Sequence, residues 1–367
     1  MSKSLLYYNP SIVSHASNHH LPGMRRFSQF FKLYNPNVVL IDRTGTIKTP
    51  VRSTSLFPIP TVEPFSKTFE QICNERACEL IGYAEHSNVP IYIFWSGGID
   101  STLLLVSLLK NTSAAQRKRL VVLLTQDSIN ENPRFFAEHI NGKLRAEPSS
   151  MFPYLLGGEH LIVGGEHNDQ LFGADVVGKF MHKFGNHVIH QPYSRELFKT
   201  YFEDLLPEDP SGIEFYLNMY ERMKDSAPVP INTNFDLLWW INFSLKWQSV
   251  FIRILTFTAE RNAPKLNREY IRSRYFHFYN TDDFQRWSLH NQDKKIKDEW
   301  RTYKWVCKDI IYQYTKDADY RDNKTKRGSL FHLLLQREAF NFIDESVHLS
   351  RDMDPKEYYL PNNDFCN

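Results

Sequence analysis

The chain has 367 residues, 42% hydrophobic and 23% charged, an ordinary globular composition that excludes a disordered tail or a fibre. Its 44 Lys+Arg against 42 Asp+Glu leave a net charge of +2, too balanced for wholesale nucleic-acid binding, and no apolar run reaches the roughly 18 residues that a membrane span needs. A chain of this length buries a sizeable core and carries two to three domains. Its 27 Phe, 19 Tyr and 7 Trp predict dense aromatic packing.

The first ten residues hold no apolar signal core. Cys73, Cys78, Cys307 and Cys366 form no CxxC pair, which gives no support to a zinc ribbon or a redox motif. Cys73 and Cys78, on one helical stretch, read as buried thiols, and four scattered cysteines suit a reducing compartment, so a cytoplasmic location is the expectation. Residues 1–62 read as an N-terminal extension with a strand at Val38-Val39-Leu40-Ile41, a turn over Asp42–Thr46 and a second short strand. His15, His19 and His20 cluster there, without the ligand spacing of structural zinc.

The pattern sharpens from Phe65, and residues 63–190 read as an α/β domain. Phe65, Phe69, Ile72, Cys73, Ala77, Leu80, Ile81 and Ala84 recur at helical spacing. Ile91-Tyr92-Ile93-Phe94-Trp95 is a continuous apolar run, the mark of a strand buried on both faces. Leu103–Lys110 reads as a helix, Leu120–Leu124 as a second buried strand, Asn132-Pro133 as an N-cap pair opening a helix, and Leu161-Ile162-Val163 as a third strand. This alternation predicts a parallel, Rossmann-like sheet flanked by helices. Residues 191–367 read as mostly helical, with Trp239, Trp240, Phe243, Trp247, Phe251 and Leu255 marking a buried stretch. Lys294, Lys295, Lys297, Arg301, Lys304 and Lys308 form a basic run in a segment read as helix, and Lys324, Lys326 and Arg327 form a second.

Chemistry concentrates in Ser96-Gly97-Gly98-Ile99-Asp100-Ser101-Thr102, between a buried strand and a helix. Two glycines allow a tight turn whose N–H groups point into one concavity, and the helix N-terminus favours an anion there. Ser96, Ser101 and Thr102 add hydroxyls. Asp100 is a carboxylate beside a phosphate cradle, an arrangement that calls for a cation, so Asp100 is expected to hold Mg²⁺. The loop is not GxxxxGK[ST].

This segment resembles the SGGxDS loop of the PP-loop ATP pyrophosphatases, which cleave ATP between its α and β phosphates. Gly164-Gly165-Glu166-His167-Asn168-Asp169-Gln170-Leu171-Phe172-Gly173 is similar to the SGEGADE-(L/I)-FGG loop of asparagine synthetases. Glu166 falls on its first glutamate, Asp169 on its aspartate and Gly173 on its first glycine after Phe. His167, Asn168 and Gln170 depart from that pattern and resemble the HxxDQ of tRNA lysidine synthetases. Arg274–Asn280 is weakly similar to the ARVPFLD stretch of asparagine synthetases, Tyr303–Lys308 to their K-x-x-L-R helix, and Asn323–Gly328 to their R-x-K-x-G segment.

The resemblance, patchy over Phe65 to Leu330, implies an adenine nucleotide alpha hydrolase-like sheet with a helical C-terminal part, and an ATP-dependent carbon–nitrogen ligase. It implies that Ser96, Gly97, Gly98, Ser101, Thr102, Gly165 and Lys308 contact ATP or pyrophosphate, and that Asp100 and Asp169 share Mg²⁺. Lys304 and Lys326 would neutralise the leaving group, and Glu166 would position or deprotonate an amine. Lys308, one turn beyond Lys304, would share its face.

Two departures matter. Residue 2 is Ser, and the region before Phe65 is too short for the glutaminase domain of asparagine synthetases, so ammonia or a substrate amine is expected as the nitrogen source. The stretch from Ser96 to Gly164 is also short, which puts aspartate in doubt as the acyl substrate. Small-molecule carboxylate and amine substrates are therefore the expected partners. Modification of a tRNA or DNA base, and a non-catalytic nucleotide-binding role, stand as alternatives.

Overall fold

The computed structural model describes residues 3–34, 38–325 and 339–366. In chain order its strands are β1 (Leu5–Tyr8), β2 (Ile91–Phe94), β3 (Leu120–Leu124), β4 (Arg145–Pro148), β5 (Leu161–Gly164), β6 (Tyr275–His277), β7 (Phe342–Asp344) and β8 (Leu349–Ser350). The chain divides into two compact units. One comprises Met1–Val62, Gly173–Thr256 and Phe340–Asn367; the other comprises Glu63–Phe172 and Phe257–Ala339. The first break falls after residue 62, where the sequence changes character. No break falls at 190, because the segment from Gly173 packs with the N-terminal extension. Among the described residues, no helix is long and apolar enough to cross a membrane.

The unit holding the N-terminus is built around the helix Asn234–Leu245, in which every residue is buried. Eight of its twelve residues are apolar and fall on all sides, as a helix enclosed all round requires. Trp239, Trp240, Phe243 and Trp247 pack ring against ring there, with centroids 5.3 Å apart for Trp239–Phe243 and for Phe243–Trp247. The expected strand at Val38–Ile41 is not one. The Ile41 and Arg43 N–H groups donate to the Leu245 and Ser244 carbonyls at 2.8 and 3.1 Å, so this apolar run satisfies the orphan carbonyls at a helix end. The expected turn over Asp42–Thr46 is present, with the Asp42 carboxylate accepting from the Thr44 and Ile47 N–H groups at 2.8 and 2.7 Å. The strand that the extension does form is β1, antiparallel to β7, which in turn pairs antiparallel with β8.

Gln248, fully buried, stitches the extension down. Its Oε1 accepts from the Leu56 N–H at 2.6 Å, and its Nε2 donates to the Leu6 and Thr54 carbonyls at 2.9 and 2.7 Å.

In the other unit the strands lie in the order β4-β3-β2-β5-β6, all parallel. The runs that form β2, β3 and β5 are apolar on both faces and almost entirely buried, as central strands of a covered parallel sheet must be. The edge strands escape periodicity. β4 is Arg-Ala-Glu-Pro and largely exposed, with the charge and terminal proline that suit an edge. β6 is three residues long and sits within the region read as helical. The helix Phe69–His86 opens with a capping box from Thr68 and Gln71. Cys73 on it is buried and Cys78 exposed, so only one of this pair is a core thiol. Helices Ile99–Lys110 and Trp305–Thr315 also belong to this unit.

Counted along the chain from β2, this order is third, second, first, fourth, fifth. The direction of winding reverses between β2 and β5, and open parallel sheets bind ligands in the crevice at the carboxyl ends of the strands flanking such a reversal. The segments leaving β2 and β5 are Ser96–Thr102 and Gly165–Asp169.

Replacing Gln248 with Leu keeps its bulk and strands two carbonyls and an N–H. The unfolding free energy should fall by about 3 kcal/mol or more, from a penalty of roughly 1–3 kcal/mol for each buried polar group left unpaired. A denaturant midpoint equal to that of the parent chain would show that these bonds stabilise nothing.

Candidate functional site

Backbone conformation shapes the loop after β2. Gly97 has φ +76°, and a Cβ there would lie 2.5 Å from the Ser128 carbonyl oxygen and 2.8 Å from Glu131 Cβ. Only glycine meets both constraints. Gly165, from the other loop, would place a Cβ 3.2 Å from Ser101 N and Cα, so the two loops meet backbone to backbone. Ser101 Oγ accepts from the Ser96 N–H at 3.0 Å, and Ser96 Oγ accepts from the Gly98 N–H at 3.3 Å. The helix Ile99–Lys110 opens at Gly98 with no side-chain cap, which leaves its first-turn N–H groups available for an anion.

Thr102 departs from the expected hydroxyl cradle. It is fully buried, and its Oγ1 accepts from the Trp95 indole N–H at 3.2 Å. A buried indole N–H needs an acceptor, and Thr102 supplies it one helical turn inside. The hydroxyl thus fixes the end of β2 from behind, while Ser96 and Ser101 stay at the loop. Tyr320 adds a further brace, donating to the Gly97 carbonyl at 3.4 Å.

The centre of the site is a cation between two carboxylates. Lys304 Nζ lies 2.6 and 2.7 Å from the two Asp100 carboxylate oxygens and 2.6 Å from Asp169 Oδ1. Lys304 is 1% exposed. Asn168 Nδ2 donates to Asp100 Oδ1 at 2.7 Å, and the Tyr279 hydroxyl donates to the Asp100 carbonyl at 2.8 Å. Tyr303 OH reaches Asp169 Oδ1 at 3.5 Å. Burial raises the Asp100 carboxyl above its ordinary value. The Lys304 ammonium and the Asn168 amide oppose that shift, and the Asp169 carboxylate adds to it.

The expected Mg²⁺ ligands are therefore close enough to share one cation, and an ammonium bridges them. The acceptors at its Nζ are carboxylate oxygens, the ligand type a hard divalent ion prefers, and Mg²⁺ commonly takes only one or two carboxylates beside substrate phosphates. Asn168 Oδ1 is buried with no hydrogen-bond partner. The donor set fits Mg²⁺ held together with substrate phosphates, and among the described residues no group of three or more His, Cys, Asp or Glu is placed to hold a metal ion.

The basic run that carries Lys304 is not one helix. Short 3₁₀ turns at Gln292–Lys294 and Trp300–Thr302 precede the helix Trp305–Thr315. Lys304 itself sits ahead of that helix with φ +59°, a conformation uncommon outside glycine. Lys308 consequently does not share its direction. Its ammonium donates to the Arg301 and Lys324 carbonyls, and burial lowers its pKa to about 8. Lys324 pairs with Glu131, the residue packed against Gly97. Lys326 and Arg327 lie outside the described residues. Glu166 is half-buried in the turn after β5.

Sequence reasoning missed Asn168, Tyr279, Tyr320, the Glu131–Lys324 pair and a buried relay behind the β5 loop. In that relay His167 Nδ1 meets His277 Nδ1 at 3.1 Å, and His277 Nε2 meets the Tyr275 hydroxyl at 2.7 Å. His167 has φ +76°, at a position where the similar loop carries glycine. That mismatch was the available signal.

Gly97→Ala should lower the unfolding free energy by about 2 kcal/mol or more, since it adds a strained φ to a clash with backbone. Gly98→Ala, whose Cβ would meet only Ser96 Oγ at 3.2 Å, should cost distinctly less. Equal losses in a denaturant series would remove the distinction between the two glycines.

Compared with protein-family models and with curated proteins, the chain has no significant match to either.

Proposed function

We propose that the chain is an ATP-dependent carbon–nitrogen ligase of the asparagine synthetase type, with an adenine nucleotide alpha hydrolase-like sheet. It adenylates a small carboxylate with release of pyrophosphate, then transfers the acyl group to ammonia or an amine. One observation carries this reading. Asp100, Asp169 and Lys304, from three separate segments, converge within hydrogen-bond distance beside an uncapped helix N-terminus, where the sheet's winding reverses.

The chemistry divides among the residues as follows. A carboxylate oxygen of the substrate attacks the α-phosphorus, and the bond to the bridging oxygen of pyrophosphate breaks. In-line transfer of this kind needs positioning and neutralisation more than covalent help. The Ser96–Ser101 loop and the first-turn N–H groups orient the phosphates. Lys304 neutralises charge that develops on the departing pyrophosphate, and Lys326 is assigned the same task by resemblance. Asp100 and Asp169 would hold Mg²⁺, which when bound neutralises phosphate charge. Glu166 orients the amine, which attacks the acyl carbon, and takes its proton as AMP leaves and the amide forms. Thr102 and Tyr320 hold the loop in shape, and Lys308 ties the helix after Lys304 to the Lys324 segment.

The test is product analysis with ATP, Mg²⁺ and pooled carboxylates, with and without ammonium. AMP and pyrophosphate should appear in equal amounts, and stoichiometric ADP would sink the proposal. Asp100→Asn and Asp169→Asn should each lower turnover by about 10²-fold or more, with the far-ultraviolet spectrum unchanged. Near-parental turnover at limiting Mg²⁺ in either variant would remove that carboxylate from the machinery.

A further inference from the structure

We propose that Lys304 is the resting occupant of the divalent-cation position, so that metal binds only together with nucleotide phosphates, which receive the ammonium it displaces. This rests on the reading above and adds an order of events to it.

Ammonium and divalent metal exclude one another at this position. The three carboxylate oxygens at 2.6–2.7 Å from Lys304 Nζ are the ones that a shared divalent ion requires. An ammonium and a divalent cation repel strongly at such separations, so one must leave before the other settles. The lysine is the one built to move. Its backbone is pinned, with Lys304 N–H donating to the Lys295 carbonyl at 2.9 Å and the Lys304 carbonyl accepting from the Lys308 N–H at 3.1 Å. The four-carbon stem beyond it is flexible and ends in a point charge with rotatable donors. A displaced ammonium gives up the Asp100 and Asp169 carboxylates. With phosphates on the Ser96–Ser101 loop, it exchanges carboxylate oxygens for phosphate oxygens. Asn168 lies against one of the same carboxylates. Its Nδ2 serves Asp100 at 2.7 Å while its buried Oδ1 lacks any donor.

Coupling of this kind is reciprocal: nucleotide must tighten metal binding by the factor by which metal tightens nucleotide binding. Mn²⁺ is the probe, read by its electron paramagnetic resonance signal at fixed free concentration, with and without a non-hydrolysable ATP analogue. The parent chain should bind Mn²⁺ weakly alone and stoichiometrically with the analogue. Lys304→Met and Lys304→Gln, the latter keeping an N–H donor for the carboxylates, should bind Mn²⁺ alone at least about tenfold more tightly than the parent. Equal affinities overturn the proposal while leaving the metal site standing. Absence of Mn²⁺ binding from every protein, even with the analogue, overturns both. If neither variant folds, ¹⁵N-lysine spectra of the parent chain decide. The protected ammonium signal should persist with Mg²⁺ alone and shift when analogue is added; a shift with Mg²⁺ alone overturns the proposal.

Discussion

Two carboxylates at the ends of neighbouring strands repel one another, and drawing them partly out of water adds to the cost unless a cation joins them. Lys304 is that cation, and much of the surrounding architecture follows from delivering it. The chain ahead of the helix Trp305–Thr315 breaks into short 3₁₀ turns, and Lys304 accepts a left-handed backbone. Tyr303, next to it, stacks on Trp300 with centroids 4.5 Å apart and reaches Asp169. From the opposite side Asn168 and Tyr279 fix Asp100 through its side chain and its carbonyl. Removing one partner of so enclosed a group exposes the others to a low-dielectric setting in which an unpaired charge is costly.

What was legible in the sequence was whatever is fixed by local pattern. The runs at β2, β3 and β5 announced themselves because central parallel strands have no wet face. Ser96–Thr102 stood out because a glycine pair between a buried strand and a helix has few other uses. β4 and β6 were silent for opposite reasons: one is an edge strand with polar side chains, and the other is too short to show a period. Val38–Ile41 misled because an apolar run in extended conformation has the same composition whether it pairs with a strand or closes the end of a helix. The choice depended on the Ser244 and Leu245 carbonyls, some 200 residues away.

The candidate site shows the same limit. Residue types are visible in sequence, but directions are not. Thr102 turns inward because Trp95 needs an acceptor, and Lys308 turns to main-chain carbonyls because Lys304 does not begin the helix that it precedes. His167 is instructive. Placing a histidine where φ is +76° costs of order 1 kcal/mol or more, and that cost secures a contact with His277 on the neighbouring strand. The β5 loop is thereby tied to β6 by side chains as well as by the parallel ladder, and the segment that carries Asp169 has little freedom to drift.

The interleaving of the two units bears on how the polypeptide is made. β1 belongs to the earliest described part of the chain, yet its partner β7 comes near the end; the Asn9–Asn341 side-chain bond beside that ladder spans 332 residues. During synthesis the sheet-bearing unit has all its strands once β6 has emerged, whereas β1 stays an open edge until β7 follows. An unpaired edge exposed for that interval is a template for wrong partners, and closing so long a loop is slow. Biogenesis therefore leaves the β1 edge that β7 covers open until β7 has emerged, while Gln248 can hold β1 through its Leu6 carbonyl before then.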